Sequence, residues 1–425
     1  MIASDAGAQA CDWFGLRDGL TTAAWSARFG ILRDDYTPKP AFTTLQHLIA
    51  TASMGKRSSL VFPEPGGKDG GRAGRAAGRP GEEALMTLGA VMSAEMAEQP
   101  ARLAALLGQA DAIAGRLREV LPEPLAGTVL IARGSSDHAA TTGRYLLELA
   151  TRRPVASASP SLYTMYGAQT DFSGFLVVAA SQSGRTPEIV RSLQLARSRG
   201  GYTVAITNDQ KSPLALAAEL PVYLGVGIER AVPATKTVTA ELIAFALLAQ
   251  AVRDIGFGPR VREQLSGQVA AVLDDPGPAG EVAGWLAGRT RLAAVARGLL
   301  YGAAAEAALK IEETTSLFAT AYSAADLRHG PIAVAATGLP VLAFAHPGPA
   351  AADVAELARD LSHRGADVRL AGPVDGSALP WPAGAPEVAA PVLAVVRAQQ
   401  VALALARRLG RDPDEPGGLH KVTVT

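Results

Sequence analysis

From residue 85 onward the chain alternates short apolar runs with longer amphipathic ones. "LMTLGAVMSAEMAEQPARLAALL" places apolar residues at helical spacing and predicts an amphipathic helix. "GTVLIARGSSDHAATTGRYLLELA" reads as strand, turn and helix, and "FLVVAASQSGRTPEIVRSLQLARSRG" reads the same way. "YTVAITND" and "LPVYLGV" predict further short strands, and "PATKTVTAELIAFALLAQAVRDIG" a long helix. Strands separated by helices of this length predict an α/β fold, a doubly wound parallel sheet flanked by helices in a flavodoxin-like or Rossmann-like sandwich.

The pattern then recurs. "RLAAVARGLLYGAAAEAALKIEE" echoes the first strand–turn–helix, and "LPVLAFAHPGPAAADVAELARDLSHRG" echoes the second. Gly134 answers to Gly298 and Gly184 to Gly348, 164 residues apart in both cases, which argues for a duplicated domain. The expected boundaries are 85–258 for the first domain and 259–412 for the second, with a tail over 413–425. Ahead of them, residues 1–54 resemble the last strand and helix of a barrel-type glycoside hydrolase and are expected to be non-catalytic. Residues 55–84, rich in Gly, Pro and Arg, are expected to form a flexible linker.

The duplication is asymmetric where it matters. The first copy's turn carries Ser181, Gln182, Ser183, Gly184 and Thr186, and the second copy's turn holds Ala345, His346, Pro347, Gly348 and Ala350. The small hydroxyls are gone and Pro347 removes a backbone donor. Ser135 and Ser136 likewise become Leu299 and Leu300. Hydroxyls that served only to cap helices would be wanted in both copies. The first copy is therefore expected to bind an anion, in a cradle of helix N-terminal N–H groups and neutral donors from Gly134, Ser135, Ser136 and residues 181–186.

Composition narrows the partners. Lys and Arg balance Asp and Glu at 40 each, so there is no basic excess to suggest nucleic acid. No apolar run is long enough to span a bilayer, and the first residues lack the basic start and apolar block of a secretory signal. One cysteine, Cys11, rules out an intrachain disulfide. These features predict a cytoplasmic protein without membrane or nucleic-acid partners. No His/Cys/Asp cluster has metal-ligand spacing and no dinucleotide or Walker fingerprint is present, so no metal and no cofactor are expected.

"RGSSDHAA", "SQSGRT", "GIERAVPATKTVTAEL", "EAALKIEE" and "DLRHGPIAV", in this order, resemble the sugar isomerase (SIS) family. The resemblance covers residues 88–425 and implies two tandem SIS domains. It is closest in pattern to the isomerase half of glutamine–fructose-6-phosphate aminotransferases and to the stand-alone glucosamine-6-phosphate deaminases of SIS type. It implies a phosphorylated amino sugar as ligand, with Ser136, Ser181, Gln182, Ser183 and Thr186 around the phosphate and with Val232 and Lys310 in the binding set. Glu313 matches the family's base; an acid–base carboxylate suits proton transfer between adjacent sugar carbons. Glu306, Lys310 and Glu313 share a helix face by spacing, while Glu312 points away. His329 matches a ring-opening histidine donated across a homodimer, and Lys421, in the tail, a lysine that forms an imine with the open-chain sugar. Glu229 and Lys236 flank a segment that closes over the substrate in the family. His138 reads as part of the loop.

The residues ahead of 85 are too few for a glutaminase domain, and Cys11 lacks its Cys-Gly-Ile setting. The expected reaction is therefore conversion of glucosamine 6-phosphate and water to fructose 6-phosphate and ammonia. An ammonia-dependent or partner-fed synthase, action on another amino sugar phosphate or a glycated amino acid phosphate, and a non-catalytic sugar-phosphate sensor remain as alternatives.

Overall fold

Among the described residues, nine parallel strands form two sheets that follow the predicted duplication. The computed structural model describes residues 87–335, 338–418 and 421, within a compact unit spanning Gly78–Thr425. The expected hydrolase-like segment at 1–54 and the expected linker at 55–84 lie outside the described residues.

Three helices lead in: α1 (Ala90–Ala97), α2 (Gln99–Leu107) and α3 (Ala110–Val120). The first sheet contains β1 (Gly127–Ile131), β2 (Val155–Ser157), β3 (Phe175–Ala180), β4 (Tyr202–Thr207) and β5 (Leu220–Tyr223) in the order β2-β1-β3-β4-β5. The long helices α4 (Ser135–Thr151), α5 (Pro187–Ser198) and α6 (Lys236–Val252) belong to this half. After α7 (Pro259–Leu273) and α8 (Gly277–Leu286) comes the second sheet, built from β6 (Arg291–Ala296), β7 (Phe318–Ser323), β8 (Pro340–Phe344) and β9 (Asp367–Ala371) in the order β7-β6-β8-β9. Its long helices are α9 (Tyr301–Thr315), α10 (Ala351–His363) and α11 (Ala390–Arg408).

Both sheets begin with one strand flanked by the next two in sequence, the order of a doubly wound fold with its switch point between β1 and β3, or between β6 and β8. Gly134 and Gly298 both adopt positive φ, 56° and 63°, at corresponding turns. The expected α/β class with two doubly wound parallel sheets is what the chain forms. The edge strands β2 and β7 were not foreseen.

Strands β3 and β4 are buried almost throughout because helices cover both faces of the sheet. The apolar helix α6 packs in the middle of the molecule against α4, with Phe245 fully buried. Gly302, near the start of α9, lets that helix approach α4 closely. A Cβ there would lie 2.4 Å from the His138 carbonyl oxygen and 2.5 Å from Thr142 Oγ1. This contact carries the second domain's helix α9 to the mouth of the first domain's turn. No helix among the described residues is long and apolar enough to cross a membrane.

Candidate functional site

The turns after β1 and β3 lie side by side at the switch point, since Ile131 pairs with Ala179 in the register of the two strands. Gly184 gives the second turn its shape. Its φ is 60°, and a Cβ would meet Ser212 Oγ at 2.3 Å and Thr207 Oγ1 at 2.7 Å. Bonds from Asn208 N to the Gln182 carbonyl (3.0 Å) and from Leu214 N to the Gly184 carbonyl (3.1 Å) tie the turn to the strand and helix beyond. Neither Gly134 nor Thr186, the caps of α4 and α5, makes a side-chain capping bond. The Thr186 hydroxyl therefore does not serve to start α5.

A cavity of about 180 Å³ sits against these turns, lined by Ser135, Ser136, Gln182, Val232, Glu313 and Lys421, and also by Glu229, Ala234, Thr237 and Glu241. A wider groove of about 580 Å³ shares Gln182, Glu229 and Lys421 with it and adds Ser183, Arg185 and Lys211. Six of the sequence-predicted residues therefore come together at one cavity, and Ser183 lines the adjoining groove. Gly134, Ser181 and Thr186 shape the turns without lining either space. Lys310 is fully buried behind the cavity wall. His329 is exposed at the end of a short helix, Ala324–Arg328, outside the lining of both. Its Nδ1–H donates to the Ala325 carbonyl at 2.9 Å, which leaves Nε2 as the basic nitrogen.

The wall contributed by α9 is a charge relay between carboxylates. Lys310 Nζ lies 3.3 Å from Glu306 Oε1, contacts Glu313 Oε2 more closely still, and donates to Ser135 Oγ at 3.2 Å. Burial alone would push the Lys310 ammonium down, but Glu306 and Glu313 hold it above the usual lysine range. Burial opposes ionisation of Glu306 as well, yet Lys310 and His138 keep it below the usual carboxylate range. For Glu313 the balance reverses: burial pushes its carboxyl upward against the pull of Lys310, and the charge on Glu306 adds to the rise. Glu312, as expected, faces elsewhere and accepts from Ala319 N.

His138 is not a loop residue. Helix α4 begins at Ser135, and His138 sits in its first turn with Nδ1 2.8 Å from Glu306 Oε2. The Gly-Ser-Ser run reads as a turn in isolation, but the turn is complete at Gly134.

On the opposite side, Lys421 Nζ donates to Glu229 Oε2 at 2.7 Å. Glu229 also accepts from Thr235 N (2.9 Å), Thr237 N (3.2 Å) and Thr237 Oγ1 (2.7 Å), and so holds a carboxylate at the N-terminus of α6. Burial works against its ionisation, but Lys421 and these donors outweigh it and keep the carboxyl low. Lys236, at the other end of the segment that Glu229 begins, turns to Glu98 at 3.1 Å and Glu95 at 4.0 Å. Glu95 accepts from Arg230 N and Ala231 N, which pins the segment after Glu229 from helix α1.

Glu241 was not foreseen. It is the acidic residue in the apolar helix α6, it lines the cavity, and its Oε1 lies at hydrogen-bond distance, 2.8 Å, from Ser136 Oγ. Burial pushes its carboxyl up to about 8. A carboxyl inside an otherwise apolar helix was the available signal.

The equivalent turn of the second sheet is filled. A Cβ on Gly348 would lie 2.6 Å from Glu387 Oε2, and His346 Nε2 is bonded to the Ala385 carbonyl at 3.0 Å. The asymmetry read from the lost hydroxyls thus has a physical counterpart: the chain itself occupies the place where a ligand would sit.

A SIS domain profile matches residues 128–251 and 286–371, which hold the two sheets. The chain is 37% identical over 321 residues to a glutamine–fructose-6-phosphate aminotransferase (isomerizing) of Gloeobacter violaceus, covering 69% of this chain and 51% of that one. It thus spans about half the length of such relatives. Among solved structures, a candidate phosphosugar isomerase of Silicibacter pomeroyi is 31% identical, with a TM-score of 0.70 over 76% of this chain and 99% of that one. A glucosamine-6-phosphate deaminase of Thermotoga maritima shares the fold at 22% identity, with a TM-score of 0.60 over 76% of this chain and 100% of that one. Two matched segments, a relative covered over 99% of its length at 31% identity and two sheets of one winding agree, and the chain belongs to the SIS family.

Proposed function

We propose that the chain is an aldose–ketose isomerase and deaminase that converts glucosamine 6-phosphate and water to fructose 6-phosphate and ammonia. The observation that carries this reading is the convergence of Glu313, the Ser135–Ser136 turn, Gln182 and Lys421 on one cavity at the switch point. The turns after β1 and β3 offer neutral donors at helix N-termini, which suits the substrate's phosphate. Glu313 stands across the cavity with a carboxyl raised by burial, the tuning wanted of a base that must take a proton and give it back.

In this reading Glu313 removes the proton from C2 of the open-chain sugar and returns it to C1, while a proton passes from the C2 amine to O1, so that the aldehyde becomes a hydroxymethyl group. The double bond is then a C2 imine; water adds to C2 and ammonia leaves, so atoms and charge balance. Lys310 fixes the carboxylate of Glu313 and, through Ser135, its distance from the phosphate turn. Lys421 is the amine that captures an open-chain ketose as an imine when the reaction starts from fructose 6-phosphate. Ring opening falls to His329 of the partner subunit in a homodimer. The exposed ring, with Nδ1–H fixed on Ala325, supports that role because Nε2 is left to exchange the proton.

The test mixes purified protein with glucosamine 6-phosphate, without glutamine, and follows ammonia and fructose 6-phosphate together. Equal release of both, lost in Glu313→Gln, is the expected result; absence of both with the wild-type protein overturns the proposal. A second reading rests on the aminotransferase relatives: the same site would run as a synthase fed with ammonia from elsewhere. Formation of glucosamine 6-phosphate from fructose 6-phosphate and ammonium, without measurable release in the other direction, selects it.

A further inference from the structure

We propose that Glu241 is a proton-dependent positioning residue that decides whether Ser136 can donate a hydrogen bond to an anion in the cavity. The inference rests on the reading of that cavity as a sugar-phosphate site.

The geometry is specific. Glu241 is 1% exposed, Ser136 8%, both line the cavity, and their oxygens are 2.8 Å apart. A serine hydroxyl has one hydrogen, and an ionised carboxylate only accepts. If Glu241 is ionised, the Ser136 hydrogen must point at it, and the cavity receives serine lone pairs with a negative charge behind them. If Glu241 is protonated, its own O–H donates to Ser136 Oγ, and the Ser136 hydrogen is released toward the cavity. A phosphate dianion carries acceptors, so only the second arrangement welcomes it.

The surroundings favour the protonated form at neutral pH. Glu241 faces Glu229, from the loop after β5, and Glu306 of α9, both of which are held ionised. Lys421 is the cation on that side, and it is engaged by Glu229. Lys310 is engaged by Glu306 and Glu313. Lys236, on Glu241's own helix, is turned to Glu98 and Glu95. A third buried carboxylate would therefore add to two existing charges without a cation to itself. Burial and these two neighbours raise its carboxyl to about 8, inside the range where enzymes are assayed.

Two readouts test this. Binding of fructose 6-phosphate and of inorganic phosphate is measured by calorimetry from pH 7 to 9.5 for the wild type and for Glu241→Gln, which keeps an N–H donor and cannot ionise. The wild type is expected to lose affinity relative to the variant by ~tenfold per pH unit above about 8. Effects of the ligand's own ionisation are common to both proteins and cancel in the ratio. Carbonyl-stretch infrared difference spectra supply the second readout. A protonated-carboxyl band is expected at pH 7 that disappears by pH 9.5 and is absent from Glu241→Gln. Parallel affinity profiles, or no such band at pH 7, overturn the proposal. Absence of binding by the wild type at every pH sinks the sugar-phosphate reading and the gating with it, even where the infrared band titrates. Binding that is present but parallel in the two proteins sinks the gating alone.

Discussion

His138 of the first domain and Glu306 of the second meet at 2.8 Å, and the contact links the start of helix α4 to helix α9 across the duplication. It is possible because Gly302 lets α9 lie against the first turn of α4. His138 is partly exposed while Glu306 is buried, so the histidine acts as the outer partner of an inner carboxylate. Glu306 in turn positions Lys310, and Lys310 positions Glu313. Replacing His138 by Ala should cost about 1.5–3 kcal/mol, the range for a hydrogen bond to a charged group. It should also lower turnover more than it raises KM, because the damage reaches the proposed base and not the proposed phosphate turn. Urea melts and steady-state kinetics on His138→Ala check both; a raised KM with unchanged turnover would place His138 in binding instead.

Lys310→Met should be the most damaging substitution behind the cavity. It leaves Glu306 buried with no lysine and Glu313 with only the distant Lys421. Removing one partner of a buried pair costs about 3–5 kcal/mol. The pH dependence has a definite sign. In the wild type the Glu306 carboxyl is held low by Lys310 and His138, so its contribution is present above the unfolded value of 4.5 and lost as pH falls through the lower folded value. Without Lys310 the folded carboxyl rises, and the variant loses stability as pH increases. The gap between the two proteins should therefore be widest near pH 7–8 and narrow below 4.5. Equal gaps at pH 4.5 and pH 7.5, measured by denaturant melts, would show that packing and not charge is at stake.

The duplication, the sheet class and the charged face of α9 were legible because each is a local or periodic property. Gly134 and Gly298 mark the same turn, and Glu306, Lys310 and Glu313 repeat at helical spacing. The placement of Glu241 was not legible. Whether a carboxyl in α6 faces solvent, core or cavity depends on how that helix is rotated against α4, which is a tertiary fact. The blocking of the second turn by Glu387 was equally hidden, since the plug lies 39 residues beyond Gly348 in the chain. His329 fits no site formed by the described residues of its own chain, so the family resemblance was the only guide to the role proposed for it.

The turn after β3 offers a test of binding apart from catalysis. Gly184→Ala introduces a Cβ at φ 60° that would meet Ser212 Oγ at 2.3 Å. A non-glycine residue held in this region costs about 1–3 kcal/mol, and the clash with Ser212 adds to it. The turn should open and carry Ser181, Gln182 and Ser183 away from their places. The expected result is loss of sugar-phosphate affinity in a protein that still melts cooperatively. Gly184→Ala combined with Ser212→Gly should recover part of the affinity, since the substitution removes the atom in the way. Unchanged affinity in Gly184→Ala would mean that this turn does not hold the phosphate.

Under the proposed mechanism the acid limb of the activity profile reports on Glu313 directly. A general base must be ionised, so kcat/KM should rise with pH through the carboxyl's own value. Burial and the charge on Glu306 outweigh the pull of Lys310 and place that value above the usual 4.5. Activity on glucosamine 6-phosphate should therefore fall off at a higher pH than an ordinary carboxylate would give. Glu306→Gln removes a like charge that raises Glu313, but it also leaves Lys310 free to bond Glu313 alone. Both changes favour ionised Glu313, so the limb should move to lower pH in this variant. Glu313→Gln should lose ~10²–10⁴-fold in turnover, the usual contribution of a positioned base, with KM little changed. A limb that stays in place in Glu306→Gln, with Glu313→Gln inactive, would assign the titration to another group and leave Glu313 as the base.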